Sequence, residues 1–234
     1  MSTALTARDK ATLRASLIFK LISLIASVYG LCLTIEELKS FTYYTTLSNV
    51  AIDIVLIIAI IMDVLLITKG KNYKTNGFYI CKYMMTVAIS LTLLIYMFIL
   101  APTSKAGFFG SYFNNYGGSF GVHFVGPVFA ILDFLLFDYD YKSKRSHGVF
   151  AVIPPLCYVA FVVILATAGV RWGEMYAPYN FLNYGAPTGW LGWDLSQLSS
   201  TSLGIGVAYL IVVLLIFFLL LGQLYLWINN KRKK

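Results

Sequence analysis

Residues 210–228 read LIVVLLIFFLLLGQLYLWI and contain no charged side chain. A helix of this length is about 28 Å long at a rise of about 1.5 Å per residue, close to the hydrocarbon thickness of a bilayer. Backbone polar groups find no water in that layer, so a spanning segment must pair them internally, as a helix or a closed barrel. The segment is continuously apolar and lacks the alternation of a barrel strand. It therefore predicts a transmembrane helix.

Five other stretches have the same character. The 234-residue chain is 59% hydrophobic and 12% charged, about half the roughly 25% charge of soluble domains. We predict an all-α, polytopic integral membrane protein that forms one transmembrane domain over residues 1–234. The six predicted helices cover approximately residues 15–35, 43–68, 78–101, 119–137, 149–170 and 203–228.

Basic residues cluster on alternate connections. The clusters are Arg8, Lys10 and Arg14; Lys69, Lys71 and Lys74; Lys142, Lys144 and Arg145; and Lys231, Arg232, Lys233 and Lys234. The other three connections hold one basic residue each, namely Lys39, Lys105 and Arg171. Because Lys and Arg are enriched in cytoplasmic loops, this pattern predicts that both ends are cytoplasmic. The net charge of +8 then reflects topology and contact with the bilayer, and we expect no nucleic-acid partner.

The predicted second helix carries polar side chains that lipid disfavours. Thr45, Asn49 and Asp53 recur at i, i+4 and i+8, so they lie on one helix face and descend from the outer surface. Thr46 and Ser48 lie beside this stripe. Such residues can hold helices together by hydrogen bonds, or cap a helix start, without any catalytic role. Asp53 lies about two turns deeper, and a functional and a structural role are equally open for it.

His123 is predicted near the outer start of the fourth helix, at the depth of Thr45. It could bond a neighbouring carbonyl, but a histidine also suits proton transfer near neutral pH. Four other charged residues are expected at the cytoplasmic ends of helices: Asp63, Asp133, Lys20 and Lys82. The two lysines can reach toward water from there, and pairing among the four is also open. His147 is expected to be solvated in a basic loop. No spacing of Cys, His and carboxylates suggests a metal, and we predict no metal and no cofactor.

Three motifs resemble a known family. They are Tyr43-Tyr44-Thr45-Thr46-Leu47-Ser48-Asn49, then His123 followed by Pro127, then Tyr176-Ala177-Pro178-Tyr179-Asn180-Phe181-Leu182-Asn183. In this order they resemble the androgen-induced and androgen-dependent membrane threonine hydrolases, and most of all a bacterial branch of proline-rich six-helix membrane proteins, in which an Asp follows, here Asp133. The resemblance covers residues from about 40 to 190.

The resemblance implies an intramembrane hydrolase of fatty-acid esters of hydroxy fatty acids, in a bacterial plasma membrane. Thr45 would be the nucleophile and His123 its base, and the partners would be the bilayer and a lipid ester. Ser48 occupies the position that is acidic or amide in eukaryotic members, and Thr46 lies three residues before Asn49, so Thr46 is an alternative nucleophile. Ser48, Asn49 and Asp53 would support the site. The alternative is a non-enzymatic membrane protein, either a small-solute transporter or an assembly factor. The oligomeric state is open.

Overall fold

The structure is a computed structural model that describes residues 7–232, with the side chains of Ala7, Arg8 and Thr103 outside the description. Three members of the basic clusters are therefore affected. The side chain of Arg8 lies outside the description, and so do residues Lys233 and Lys234. The predicted orientation, with both ends in the cytoplasm, stays a prediction that rests on the charge pattern.

Within the described residues, six helical segments are long and apolar enough to cross a membrane, which confirms the all-α, polytopic membrane fold. We number them as the first to the sixth span in chain order. They are Asp9–Thr34, Tyr44–Lys69, Asn76–Leu100, Asn115–Phe137, Arg145–Thr167 and Val207–Lys231.

The spans are built from α-helices joined to 3-10 and π-helical segments. The α-helices are α1 Ala7–Thr34, α2 Tyr44–Lys69, α3 Asn76–Ile95, α4 Ala101–Thr103, α5 Gly107–Phe113, α6 Gly118–Phe120, α7 Gly126–Phe137, α8 Ile153–Thr167 and α9 Val207–Lys231. The 3-10 helices are Leu38–Thr42, Asn115–Gly117, Arg145–Val152 and Asn180–Leu182. The π-helices are Tyr96–Leu100 and Gly121–Val125, and two short strands, β1 Trp193–Ser199 and β2 Ser202–Ile205, pair in antiparallel fashion.

Pro154 and Pro155 lie in the first turn of α8, where a missing N–H costs no helical hydrogen bond. One predicted boundary was wrong for a local reason. The last helix begins at Val207, not near residue 203, because residues 202–205 form β2. Gly204 has a φ of 69° there, a backbone conformation that favours glycine.

The chain folds into two compact units. The first contains residues 1–150 and 223–234, and thus the first four spans. Its apolar core contains Ile52 and Leu56 of α2, Ile89 of α3 and Ala130 of α7. The second contains residues 151–222.

Glycines bring the backbones of the first and fourth spans into direct contact. A Cβ atom on Gly30 would lie 2.5 Å from the carbonyl oxygen of Gly118 and 2.8 Å from Cγ1 of Val122. A Cβ on Gly118 would lie 2.8 Å from Cβ of Leu33. Small residues allow this close approach, the usual basis of helix association in lipid.

The second unit holds a loop of aromatic residues before its hairpin. The Arg171 guanidinium lies 3.9 Å from the centre of the Tyr176 ring, and Tyr184 stacks on Trp190 with 4.9 Å between ring centres. Asn183 is buried and accepts a hydrogen bond from the backbone N–H of Tyr176 at 2.9 Å. The resembling motif at residues 176–183 thus forms an ordered turn that Asn183 holds together.

Buried ion pairs join the first four spans, so the charged groups expected at helix ends are paired, as the sequence left open, but the two lysines do not reach water as predicted. Three lysines and three aspartates take part: Lys20, Lys74, Lys82, Asp63, Asp133 and Asp138. Lys20 contacts Asp63 at 3.0 Å and Asp133 at 2.9 Å, and both Lys20 and Lys82 have no exposed side-chain surface. The lysines do not reach water, because carboxylates on neighbouring helices neutralise them inside the unit. We call these six residues the ion network.

His147 is buried as well, not solvated. Its Nδ1 lies 2.8 Å from the Tyr141 hydroxyl, and its ring stacks on that of Tyr141. Burial raises the pKa of the Tyr141 hydroxyl above its usual range, so this group stays protonated at neutral pH and can donate to His147.

Candidate functional site

A cavity of about 180 Å³ lies where the first, second and fourth spans meet, at the end predicted to be non-cytoplasmic. We call it the outer cavity. Its lining residues come from five segments of the first unit: Leu31, Thr34, Ser40, Tyr43, Thr45, Thr46, Asn49, Val122 and His123. Both candidate nucleophiles and the candidate base therefore border one space, although they are more than seventy positions apart in the chain.

The start of α2 presents the two threonines. Tyr43 is the N-cap residue and has extended backbone angles, and its side chain makes no capping bond. The first N–H groups of any α-helix have no acceptor inside the helix. The N–H groups of Thr45 and Thr46 belong to this first turn, at the positive end of the helix dipole. The cavity therefore adjoins a helix start that can stabilise negative charge.

A π-helix before Pro127 positions His123. The N–H of Gly126 donates to the carbonyl of Gly121, five residues earlier. The next donor in this register would be residue 127, but proline has no N–H, so the carbonyl of Val122 lacks a helical donor. Asn49 supplies the missing donor, because its Nδ2 donates to the carbonyl oxygen of Val122 at 3.1 Å.

Asn49 is fully buried and connects the nucleophile helix to the histidine segment. Its Nδ2 also donates to the carbonyl of Thr45 at 2.8 Å, and its Oδ1 accepts from the Ser27 hydroxyl at 3.1 Å. Both amide hydrogens are therefore used, and Asn49 has none left for a substrate. The prediction of Asn49 as a supporting residue thus takes a specific form: it braces the cavity wall.

A second π-helix holds the ring of Tyr96 against His123. Tyr96–Leu100 is followed by Ala101-Pro102, as Gly121–Val125 is followed by Gly126-Pro127. The Tyr96 and His123 rings are stacked, with 3.8 Å between centroids and 7° between planes. The Tyr96 hydroxyl donates to the carbonyl of Ser111 at 2.6 Å. This bond fixes the tyrosine, and the tyrosine in turn orients the imidazole.

The imidazole of His123 has a nitrogen without a partner. Its Nδ1 is buried and makes no hydrogen bond within the described residues, so it is not bonded to Thr45 or Thr46. The structure thus brings the predicted pair to one cavity without a hydrogen bond to Nδ1. Catalytic hydrogen bonds are often long before substrate binds.

The other two predicted supporting residues lie away from the cavity. The Ser48 hydroxyl lies 2.8 Å from that of Thr92 on α3, so Ser48 faces a different helix. Asp53 lies deeper, where its Oδ2 accepts from Ser27 at 2.7 Å. Its Oδ1 is buried and makes no hydrogen bond within the described part of the chain.

Ser27 and Tyr96 are the site residues that sequence reasoning missed. Ser27 is one of several serines in a mostly apolar helix, and Tyr96 is one of 17 tyrosines. One sequence feature could have pointed to Tyr96: Pro102 follows its helical segment as Pro127 follows the segment of His123.

The chain was also compared with known proteins. No family model matches it, and neither a curated protein nor a solved structure shows significant similarity to it.

Proposed function

We propose that the protein is an intramembrane hydrolase of lipid esters, with Thr45 as nucleophile and His123 as base. The observation that carries the proposal is the outer cavity, since residues 45, 46 and 123 border it together. The resemblance to the membrane threonine hydrolases supports the same pair. The multi-pass membrane fold agrees with a substrate that resides in the bilayer, and we propose a bacterial plasma membrane as its location.

The reaction would proceed by acyl transfer. His123 takes the proton from Oγ1 of Thr45 as this oxygen attacks the ester carbonyl, and then gives the proton to the leaving alkoxide. Water, deprotonated by the same imidazole, attacks the acyl-threonine and releases the fatty acid, which restores both residues. A threonine hydroxyl is a weak nucleophile without such a base.

The oxyanion would be stabilised by the start of α2. Asn49 was expected to support the site, but it has no amide hydrogen left for the oxyanion, because both bond the carbonyls of Thr45 and Val122. The N–H groups of the first helical turn remain as donors near the attacked carbonyl, and the helix dipole favours the negative charge. Ser40 also lines the cavity and adds a hydroxyl.

Within the described residues no carboxylate bonds Nδ1 of His123, unlike the base of a serine triad, which a carboxylate orients. The stack on Tyr96 performs this function here, because it restricts ring rotation. The cavity volume of about 180 Å³ suits an ester group and its nearest methylenes, while the acyl chains would extend into lipid.

The test is hydrolysis of a palmitoyl ester of a hydroxystearic acid by the purified protein in nanodiscs, with the released fatty acid measured by mass spectrometry. We expect His123→Ala to lower kcat by roughly 10²–10⁴-fold, and Thr45→Ala to lower it to background. Thr68→Ala is the matched control, because Thr68 lies at the other end of α2 and bonds its own helix.

Thr46→Ala decides between the two threonines. Loss of hydrolysis in Thr46→Ala with activity retained in Thr45→Ala would move the nucleophile to Thr46. A wild-type protein without hydrolysis, or full activity in both threonine variants, would refute the proposal.

A second candidate is a non-enzymatic protein that moves a small solute. It is favoured by buried polar groups along the first span, which the hydrolase does not require.

A further inference from the structure

The first span buries a polar face inside the membrane. Ser16, Lys20, Ser23 and Ser27 recur at i, i+4, i+7 and i+11, which places them on one side of α1. Each is at most 2% exposed. This spacing normally carries the apolar stripe that packs in a core, so four polar residues there call for a reason beyond packing.

A cavity lies at each end of this polar face. The outer cavity is bordered by Asn49, which Ser27 contacts. A second cavity of about 160 Å³, which we call the inner cavity, is bordered by Ser16 and Lys74. Two carboxylates, Asp9 and Asp140, also line the inner cavity. The polar face of α1 thus leads from one cavity to the other.

The number of hydrogens around Ser27 points to a proton-binding site at the outer end of this polar face. Ser27 has one hydroxyl hydrogen but two acceptors, Oδ1 of Asn49 at 3.1 Å and Oδ2 of Asp53 at 2.7 Å. A proton on Asp53 would satisfy both contacts, with Asp53 donating to Ser27 and Ser27 donating to Asn49. Ser27 is the hydrogen-bond partner of Asp53, and no Lys or Arg forms an ion pair with Asp53 in the described chain.

The inner half of the route is the ion network. Ser16 donates to Asp133 at 2.7 Å, and Lys20 links Asp133 to Asp63. Lys74 pairs with Asp63 and lines the inner cavity. Protons can exchange along these contacts, because the hydroxyl, amino and carboxyl groups of Ser, Lys and Asp can each release a proton and take one up.

We propose that the first four spans conduct protons between the two cavities, with Asp53 as the proton-binding site on the route. Ser23 lies between Ser27 and Lys20, which are about 10 Å apart along the helix, and its hydroxyl is bonded to the carbonyl of Gly126 at 2.7 Å. Asn49 separates Ser27 and Asp53 from the outer cavity, and its amide hydrogens are both bonded, so it does not carry a proton itself. Transient water beside Ser23 and beside Asn49 would complete the chain. Contacts of 2.7–3.1 Å around Ser27 leave no room for a hydrated metal ion, so the solute is a proton.

The transfer needs no oxidant or co-reactant, because one O–H bond breaks as the next forms and the proton follows its electrochemical gradient. Chains of Asp and other ionisable groups inside a membrane are the usual form of a proton relay. The inference is independent of ester hydrolysis, since it requires neither Thr45 nor His123.

The test uses the full chain in proteoliposomes that contain a trapped pH-sensitive dye. A potassium gradient with valinomycin sets the membrane potential, and dye fluorescence reports proton entry. We expect proton flux at least tenfold above that of protein-free vesicles. Asp53→Asn keeps the shape of the side chain but cannot take up the proton, and it should lower the flux at least tenfold.

Asp194→Asn is the matched control, because Asp194 is exposed on β1 and lies outside the route. It should keep the wild-type flux. Ser27→Ala provides a second variant should Asp53→Asn fail to elute as a monodisperse protein, and it should also lower the flux. Wild-type vesicles no faster than protein-free ones would overturn the proposal, and so would wild-type flux in a folded Asp53→Asn or Ser27→Ala protein.

Discussion

Removal of one carboxylate from the ion network should strongly destabilise the protein. In Asp133→Asn, Lys20 and Lys82 each lose a contact, and Ser16 loses its charged acceptor. Three lysines would then face two aspartates, which leaves one uncompensated positive charge in the buried network. Breaking a buried ion pair in this way costs about 3–5 kcal/mol.

Lys20→Met should restore part of the stability that Asp133→Asn removes, because it takes away the lysine left without a full partner. In Lys20→Met with Asp133→Asn, the remaining ions form two complete pairs, Lys74 with Asp63 and Lys82 with Asp138. The double variant should therefore be more stable than Asp133→Asn alone. Lys20→Met alone leaves an excess carboxylate and should also destabilise.

Thermal unfolding in detergent, followed by tryptophan fluorescence at one scan rate, measures these effects. For a chain of this size, 3–5 kcal/mol corresponds to a fall in Tm of roughly 6–20 °C. Asp140→Asn is the control, since Asp140 is exposed, and its Tm should equal that of the wild type. An Asp133→Asn protein that also melts with the wild type, or a double variant whose Tm loss is the sum of the two single losses, would refute the reasoning.

Three further outcomes follow from the structure. Gly30→Ala should lower the Tm of thermal unfolding, because the new Cβ would lie 2.5 Å from the carbonyl oxygen of Gly118. Gly77→Ala should leave the Tm unchanged, because the atom nearest its Cβ is 3.8 Å away. Tyr96→Leu removes the stack on the imidazole and should reduce ester hydrolysis more than Tyr96→Phe, which keeps the ring, and equal kcat values would contradict this. Hydrogen bonds from Ser196 hold the pKa of Asp194 below its usual range. Any stability that these bonds add to the folded protein is therefore full at a pH above the usual pKa of an aspartate. It is lost as the pH falls through the lowered pKa. Ser196→Ala removes the hydroxyl bond and keeps the backbone one. An NMR titration should find the pKa of Asp194 raised in this variant, and an unchanged value would show that the hydroxyl bond is not a cause.

The spans were predictable because each is a local property of its own residues. An uncharged run such as residues 210–228 needs no partner to identify it. The β-hairpin was missed because its strands are short and its first strand is exposed throughout. The start of α9 was misplaced for the same reason, since apolar residues before Val207 pair as β2.

The candidate site was predictable in part. The spacing of Thr45 and Asn49 predicted one helix face, and His123 was predicted at the depth of Thr45. The stack of His123 on Tyr96 was not predictable, because it depends on the register between two helices. The roles of Lys20 and Lys82 were misjudged for a related reason: a charge near a helix end suggests water until a carboxylate on another helix is known to be near.

The ion network also sets an order for biosynthesis. Lys20 and Asp63 belong to the first two spans and can neutralise each other as soon as both are in the membrane. Lys82 arrives with the third span, but its partners Asp133 and Asp138 follow about fifty residues later in the chain. A nascent chain stopped after three spans would therefore carry a lysine that lacks these partners, and would be a recognisable substrate for membrane quality control until the fourth span is inserted.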